Sequence, residues 1–277
     1  MSRKALVITA AVLAVCLGIA AWLVLDARAK RIVVTLLPGR SIWEVADQLE
    51  KQRPGTREEV LRLAADKAFA LELGLPIAAR EPRPDGVADT WLEGFVFPET
   101  YHFPPDVSAH DVLERAAAQF NEVFGALTLS HTAELATLRD ELGLAPSDVV
   151  ILASLVEEET GRRDEAARVA GVFLNRLRKG MRLETDPTLM YRPDRVGKRP
   201  TPAERKDATN PYNTYAIRGL PPGPICSPTR AALLAVLEAE RHDFLFFVAK
   251  RDGTGGSAFA ATLVEHEANI DRYLKKR

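Results

Sequence analysis

Residues 146–161 read PSDVVILASLVEEETG, and how this stretch folds decides the rest of the chain. Pro146 followed by Ser147, a favoured N-cap, marks the start of a helix, and Asp148 adds negative charge to the first turn. Val149 to Val156 is an apolar run broken only by Ser154, which suits a helix buried on most of its sides. Three glutamates then arrive together, Glu157, Glu158 and Glu159. Like charges at a helix C-terminus oppose one another and the macrodipole. A core helix that ends this way is a candidate for carrying a working carboxylate. Helical spacing does not choose among the three: Glu159 follows Leu152, Leu155 and Val156, Glu157 follows Val150 and Ala153, and Glu158 follows Ile151, Ser154 and Leu155.

Downstream, Asp164 opens a helix with Val169, Ala170, Phe173, Leu174 and Leu177 inward, stopped by Gly180. Met181 to Gly223 is long and non-periodic, the kind of loop that is usually functional or disordered. It carries Asp186, Tyr191, Asn210, Tyr212, Asn213 and Tyr215, residue types that bind sugars by stacking and hydroxyl hydrogen bonds. Asp186, Asn213 and Tyr215 are the candidates for a sugar groove. Ser227-Pro228 reads as the start of a further helix. Phe244–Ala249 and Ala258–Ala261 read as a β-hairpin around the Gly-rich turn between them, and a C-terminal helix closes the chain.

Upstream, Ala5 to Leu25 is an apolar run of 21 residues, long enough to span a bilayer, which takes ~20. It predicts a transmembrane helix, with residues 1–31 as tail and anchor and the bulk of the chain on the outer side of an inner cell membrane; a signal peptide cleaved at Ala27-Arg28-Ala29 is the alternative. Ile32 to Leu37 is β-rich and ends at Pro38-Gly39. Ser41 with Glu44, and Thr56 with Glu59, read as two helix starts. Strand, helix, helix is the order of a small LysM-like module and equally of a generic α+β packing unit, here residues 32–91, ending in an exposed loop at Arg80–Asp89. Leu92 to Tyr101, LEGFVFPETY, reads as an aromatic strand entering a tight turn. Helices follow from Ser108 and from about His131 to Leu142. The expected class is α+β: a transmembrane helix, the small module, and a mainly helical domain over residues 92–277 with a short hairpin.

The net charge of −1 gives no reason to expect nucleic acid. Two distant cysteines and five histidines without an H-x-x-x-H pair argue against a disulfide framework or a metal centre, and no cofactor is expected.

LEGFVFPETY, ASLVEEET, VFLNRL, MRLETDPT, NPYNTY, GLPPGPI and ATLVEH occur in this order between Leu92 and His266. In this the chain resembles the endolytic murein transglycosylases. The resemblance implies a membrane-anchored enzyme that cuts nascent peptidoglycan strands internally between MurNAc and GlcNAc. It implies 1,6-anhydroMurNAc ends, termination of strand elongation, and work beside the cell-wall synthesis machinery. In that family the catalytic acid is the second Glu of E-x-E-T, which corresponds to Glu159 here. A non-catalytic wall-binding scaffold and a hydrolytic muramidase are the alternatives. The chain departs from the family at Ser227-Pro228-Thr229 and Ala258-Phe259-Ala260, and its N-terminal module is shortened.

Overall fold

The computed structural model of the chain describes residues 13–19, 31–77, 90–195 and 198–274. Strand β1 (Ile32–Thr35) ends at the Pro38-Gly39 turn, and helix α1 (Ile42–Gln52) starts behind Ser41. The Ser41 N–H and hydroxyl both donate to Glu44 Oε2, each at 3.0 Å. Ile42, Val45, Ala46 and Leu49 are buried along one face, as their spacing predicts. Helix α2 (Arg57–Ala65) opens on Thr56, whose hydroxyl accepts the Glu59 N–H at 3.2 Å, a cap worth ~1 kcal/mol. A short α3 (Lys67–Glu72) follows, capped by Asp66. Strand β2 (Thr100–Phe103) then pairs antiparallel with β1, Ile32 opposite Phe103 and Thr35 opposite Thr100. The Arg80–Asp89 loop lies outside the described residues.

The aromatic stretch differs from its reading as a strand. Residues 92–96 form turns, and extended backbone begins only at Thr100. Gly94 is the reason, because its φ of +83° cannot continue a strand. The turns bury Leu92, Phe95, Val96 and Phe97, and Phe95 meets Phe120 edge-on at 5.1 Å.

Helices α4 (Ala109–Ser130) and α5 (Thr132–Leu142) lead into α6 (Pro146–Glu159). Ala145, not Ser147, caps α6: Pro146 takes the first helical position, and the Asp148 carboxylate accepts the Ala145 N–H at 2.8 Å. Every residue from Val149 to Val156 is buried. Each buried Leu, Ile or Val there contributes roughly 1.5–3 kcal/mol, which holds in place a helix end crowded with acid. Helices α7 (Ala166–Arg178) and α9 (Arg230–Leu237) pack on α6 and on each other.

Thr229, not Ser227, caps α9, accepting the Ala232 N–H at 3.2 Å. Ser227 is buried, and its backbone exchanges bonds with the first turn: Gly39 N–H to Ser227 O at 3.1 Å, Ser227 N–H to Arg40 O at 2.9 Å. The long loop holds a short α-helix, α8 (Asp186–Met190), and a single 3-10 turn at Glu204–Lys206. Strands β3 (Phe246–Ala249) and β4 (Ser257–Ala260) form the expected hairpin, followed by α10 (Leu263–Tyr273).

The class is mainly helical α+β with two small sheets, but the expected transmembrane helix must be corrected. Among the described residues no helix is long and apolar enough to cross a membrane. Of Ala5–Leu25 only residues 13–19 are described, as helix, and the rest of the run lies outside the described residues. The single-pass anchor, and the inner-membrane location built on it, are not supported.

Candidate active site

The C-terminal end of α6 gives its three carboxylates three different sets of neighbours. Glu157 Oε2 accepts the Thr229 N–H at 3.0 Å and the Thr229 hydroxyl at 2.7 Å. It is spent on the start of α9, where a carboxylate also meets the positive end of the helix.

Glu158 lines a cavity of about 500 Å³, together with Gly39, Trp43, Glu44 and Tyr191. A Cβ on Gly39 would come within 2.9 Å of Glu158 Oε1, so glycine lets the first turn pass this close. Much of the Glu158 residue is exposed, yet partial burial of its carboxyl and the nearby Glu44 charge push its pKa up to about 7.

Glu159 lines a second cavity of about 400 Å³, with Thr185, Asp186, Arg176, Tyr215 and Phe246. The Thr185 hydroxyl donates to Glu159 Oε1. Burial raises the Glu159 pKa, and the Asp186 charge adds to the rise. The Thr185 hydrogen bond and Arg176 act the other way and do not overcome it. Thr185→Val removes the hydroxyl that favours the carboxylate. In that variant Glu159 is expected to titrate at higher pH than in the parent, read by NMR of the side-chain carboxyl carbon. An unmoved titration would count this contact as idle.

Asp186 lines both cavities. Its Oδ1 accepts Tyr215 OH at 2.7 Å and Arg205 Nε at 3.1 Å, while Oδ2 accepts from the same guanidinium at 2.8 Å. Arg205 and Asp186 are each more than a third exposed, so the pair itself is worth only ~0–1 kcal/mol. Its consequence is geometric, because both oxygens are occupied and Tyr215 is held in place.

Three of the four expected site residues therefore come together, Glu159, Asp186 and Tyr215. Asn213 does not join them. It is fully buried, donates to the Asp207 and Glu204 carbonyls at 2.7 and 3.1 Å, and accepts the Tyr215 N–H at 2.9 Å. Its amide is used up in shaping the loop, and it reaches the cavity only through Tyr215.

Two further residues, Thr185 and Arg176, line this cavity beside the expected ones. Arg176 follows Phe173 by three positions and Val169 by seven, a spacing that places it on the inner face of α7. It is 7% exposed and donates to the carbonyls of Leu245, Arg182 and Leu183 at 2.6–3.0 Å. That ties the strand β3 approach to the loop carrying Thr185. Thr185 precedes the Asp-Pro start of α8, and nothing in its type or spacing pointed to Glu159.

Among the described residues His110, Asp111 and Glu114 place possible metal ligands within 4.8 Å of one another. All three are exposed, Asp111 is committed to the Ser108 cap, and none lines either cavity.

Comparison with known proteins bears on this site. A profile of the YceG-like family matches residues 17–272. A Bacillus subtilis protein named endolytic murein transglycosylase is 29% identical over 258 residues, covering 88% of this chain. A Streptococcus pneumoniae protein of the same name is 28% identical over 201 residues, covering 71% of this chain. The match spans 66% and 35% of those two relatives' own lengths. The crystal structure of a putative YceG-like protein from Listeria monocytogenes superposes with a TM-score of 0.72 at 27% identity, covering 86% of this chain and 75% of that one. With the family profile running over nearly all of its length, the chain belongs to the YceG-like family.

Proposed function

We propose that this protein is an endolytic murein transglycosylase that cuts peptidoglycan glycan strands between MurNAc and GlcNAc, with Glu159 as its single general acid and base. The observation that carries the reading is a half-buried carboxyl of raised pKa on a cavity wall, beside a second carboxylate whose oxygens are already engaged. The names of the B. subtilis and S. pneumoniae relatives support the substrate class.

Breaking a glycosidic bond requires a proton on the leaving oxygen as positive charge builds at C1. A carboxyl with an ordinary pKa has given up its proton near neutral pH, and burial shifts Glu159 toward the acid form. Two-carboxylate hydrolases need a second, free carboxylate as nucleophile or to activate water. Asp186 is clamped by Arg205 and Tyr215 and is poorly placed for that work. In the lytic route the sugar's own C6 hydroxyl attacks C1. Glu159 first gives its proton to the departing GlcNAc oxygen and then takes the C6 hydroxyl proton, so no water is consumed and a 1,6-anhydro ring closes.

In this reading Asp186 and Tyr215 hold the sugar, and Asn213 holds Tyr215. Residues 32–91 form a LysM-like module and residues 92–277 the catalytic part, which supplies β2 to complete the module's sheet. Digesting purified glycan strands and weighing the new ends tests the proposal. Ends lighter by one water than hydrolysed ends are expected. Hydrated ends would make the protein a muramidase, and an absence of products would make it a binding scaffold.

A further inference from the structure

His266 sits near the start of α10 and lines the same cavity as Glu159. Its ring stacks on Phe246, centroids 5.1 Å apart and planes 21° apart. The Arg176 guanidinium lies 5.1 Å from the centroid of that same Phe246 ring. Packing, not hydrogen bonding, thus fixes the imidazole: Nδ1 is buried with no hydrogen-bond partner. Buried polar atoms are nearly always paired, and leaving one unpaired costs free energy. With Nδ1 buried, Nε2 is the ring nitrogen left for a ligand in this cavity.

We propose that His266 is a substrate-binding residue, its imidazole hydrogen-bonding a hydroxyl or acetamido group of the sugar lodged against Glu159. The inference rests on the reading of this cavity as the glycan site. The surroundings fit the ligand class. Phe246, Phe247 and Leu263 offer apolar wall to a sugar-ring face, while Thr185, Asp186, Tyr215 and His266 meet its hydroxyl rim. Burial and the Arg176 charge lower the His266 pKa, and nearby Glu267 opposes them only weakly. The ring is therefore neutral near neutral pH, with one nitrogen donating and the other accepting. A neutral ring also spares Glu159 a second positive neighbour beyond Arg176, one that would favour the carboxylate over the acid.

Binding can be separated from turnover by working in full-length Glu159→Gln protein. A soluble oligomer of N-acetylglucosamine is titrated in, and affinity is read by calorimetry. His266→Phe keeps the stack on Phe246 and removes both nitrogens, and His266→Gln restores a polar end. The Phe variant should bind ~10-fold more weakly, with the Gln variant recovering most of the loss and the histidine ring resonances of the parent shifting on binding. If the parent binds and the Phe variant binds equally well, His266 is only a packing residue and the inference fails. If the parent does not bind the oligomer, the reading of the cavity as a glycan site fails and takes the inference with it.

Discussion

Glu159→Gln is expected to fold as the parent does and to lose glycan-strand cleavage by ~100- to 10,000-fold, the range that a positioned acid or base contributes. Gln matches Glu in shape and can still accept the Thr185 hydroxyl, so the cavity wall survives while the transferable proton does not. The control is Glu158→Gln. Glu158 also has a carboxyl with a pKa raised to about 7, so pKa alone would nominate it equally well. The two acids face different cavities, and only Glu159 shares its cavity with Tyr215, Thr185 and His266. Glu158→Gln should keep most of its turnover; a reversal of the two results would move the chemistry to the cavity beside Gly39 and Trp43.

A second readout does not depend on substrate. The Glu159 pKa is raised in the fold, so this residue's contribution to stability is fully present below its unfolded value, near ~4.3, and is lost as pH rises through the folded value. Gln does not titrate. Denaturant midpoints of Glu159→Gln and parent should therefore be close below pH 4, with the variant pulling ahead as pH rises toward neutral. Equal midpoints across that span would mean the carboxyl is no more buried than in the unfolded chain.

The sequence made the helices legible because their signals are local. Ser41 with Glu44, Thr56, Ser108 and Gly143 each mark an element boundary within a few residues, and the structure keeps all four. Where local signals competed, neighbours decided. Ser147 and Ser227 both look like caps, and both are drawn into the core by the packing of α6 and by the first turn. The three glutamates could not be told apart on a helical wheel, since what separates them lies far along the chain: Thr229 claims Glu157, the Gly39 turn adjoins Glu158, and Thr185 meets Glu159. Asn213 shows the converse ambiguity. A polar loop residue looks the same on paper whether its amide faces a ligand or staples its own loop.

Gly94→Ala is expected to be among the most damaging single changes outside the site, costing ~2–5 kcal/mol of stability. Two effects add. Gly94 adopts φ +83°, a left-handed conformation that costs an L-residue ~1–2 kcal/mol. A Cβ there would also lie 2.5 and 2.6 Å from Pro224 Cβ and Cγ and 3.3 Å from Val150 Cγ1, overpacking of a kind that costs ~1–3 kcal/mol. Neither neighbour can give way cheaply. Pro224 is a rigid, buried ring whose successor, Ile225, donates its N–H to Ser154 Oγ at 3.1 Å, and Val150 is a fully buried residue of α6. Gly143→Ala isolates the backbone effect, because Gly143 has φ +68° with nothing within 4 Å of the added methyl. Urea unfolding should put the Gly94 variant below the Gly143 variant by the overpacking difference, and equal losses would show that the turn has room. The strain would not stay local, since Gly94 presses on the helix that ends in Glu159. Shifting α6 to admit a methyl group would move that carboxyl relative to Thr185, so cleavage should fall even in the fraction of molecules that remains folded.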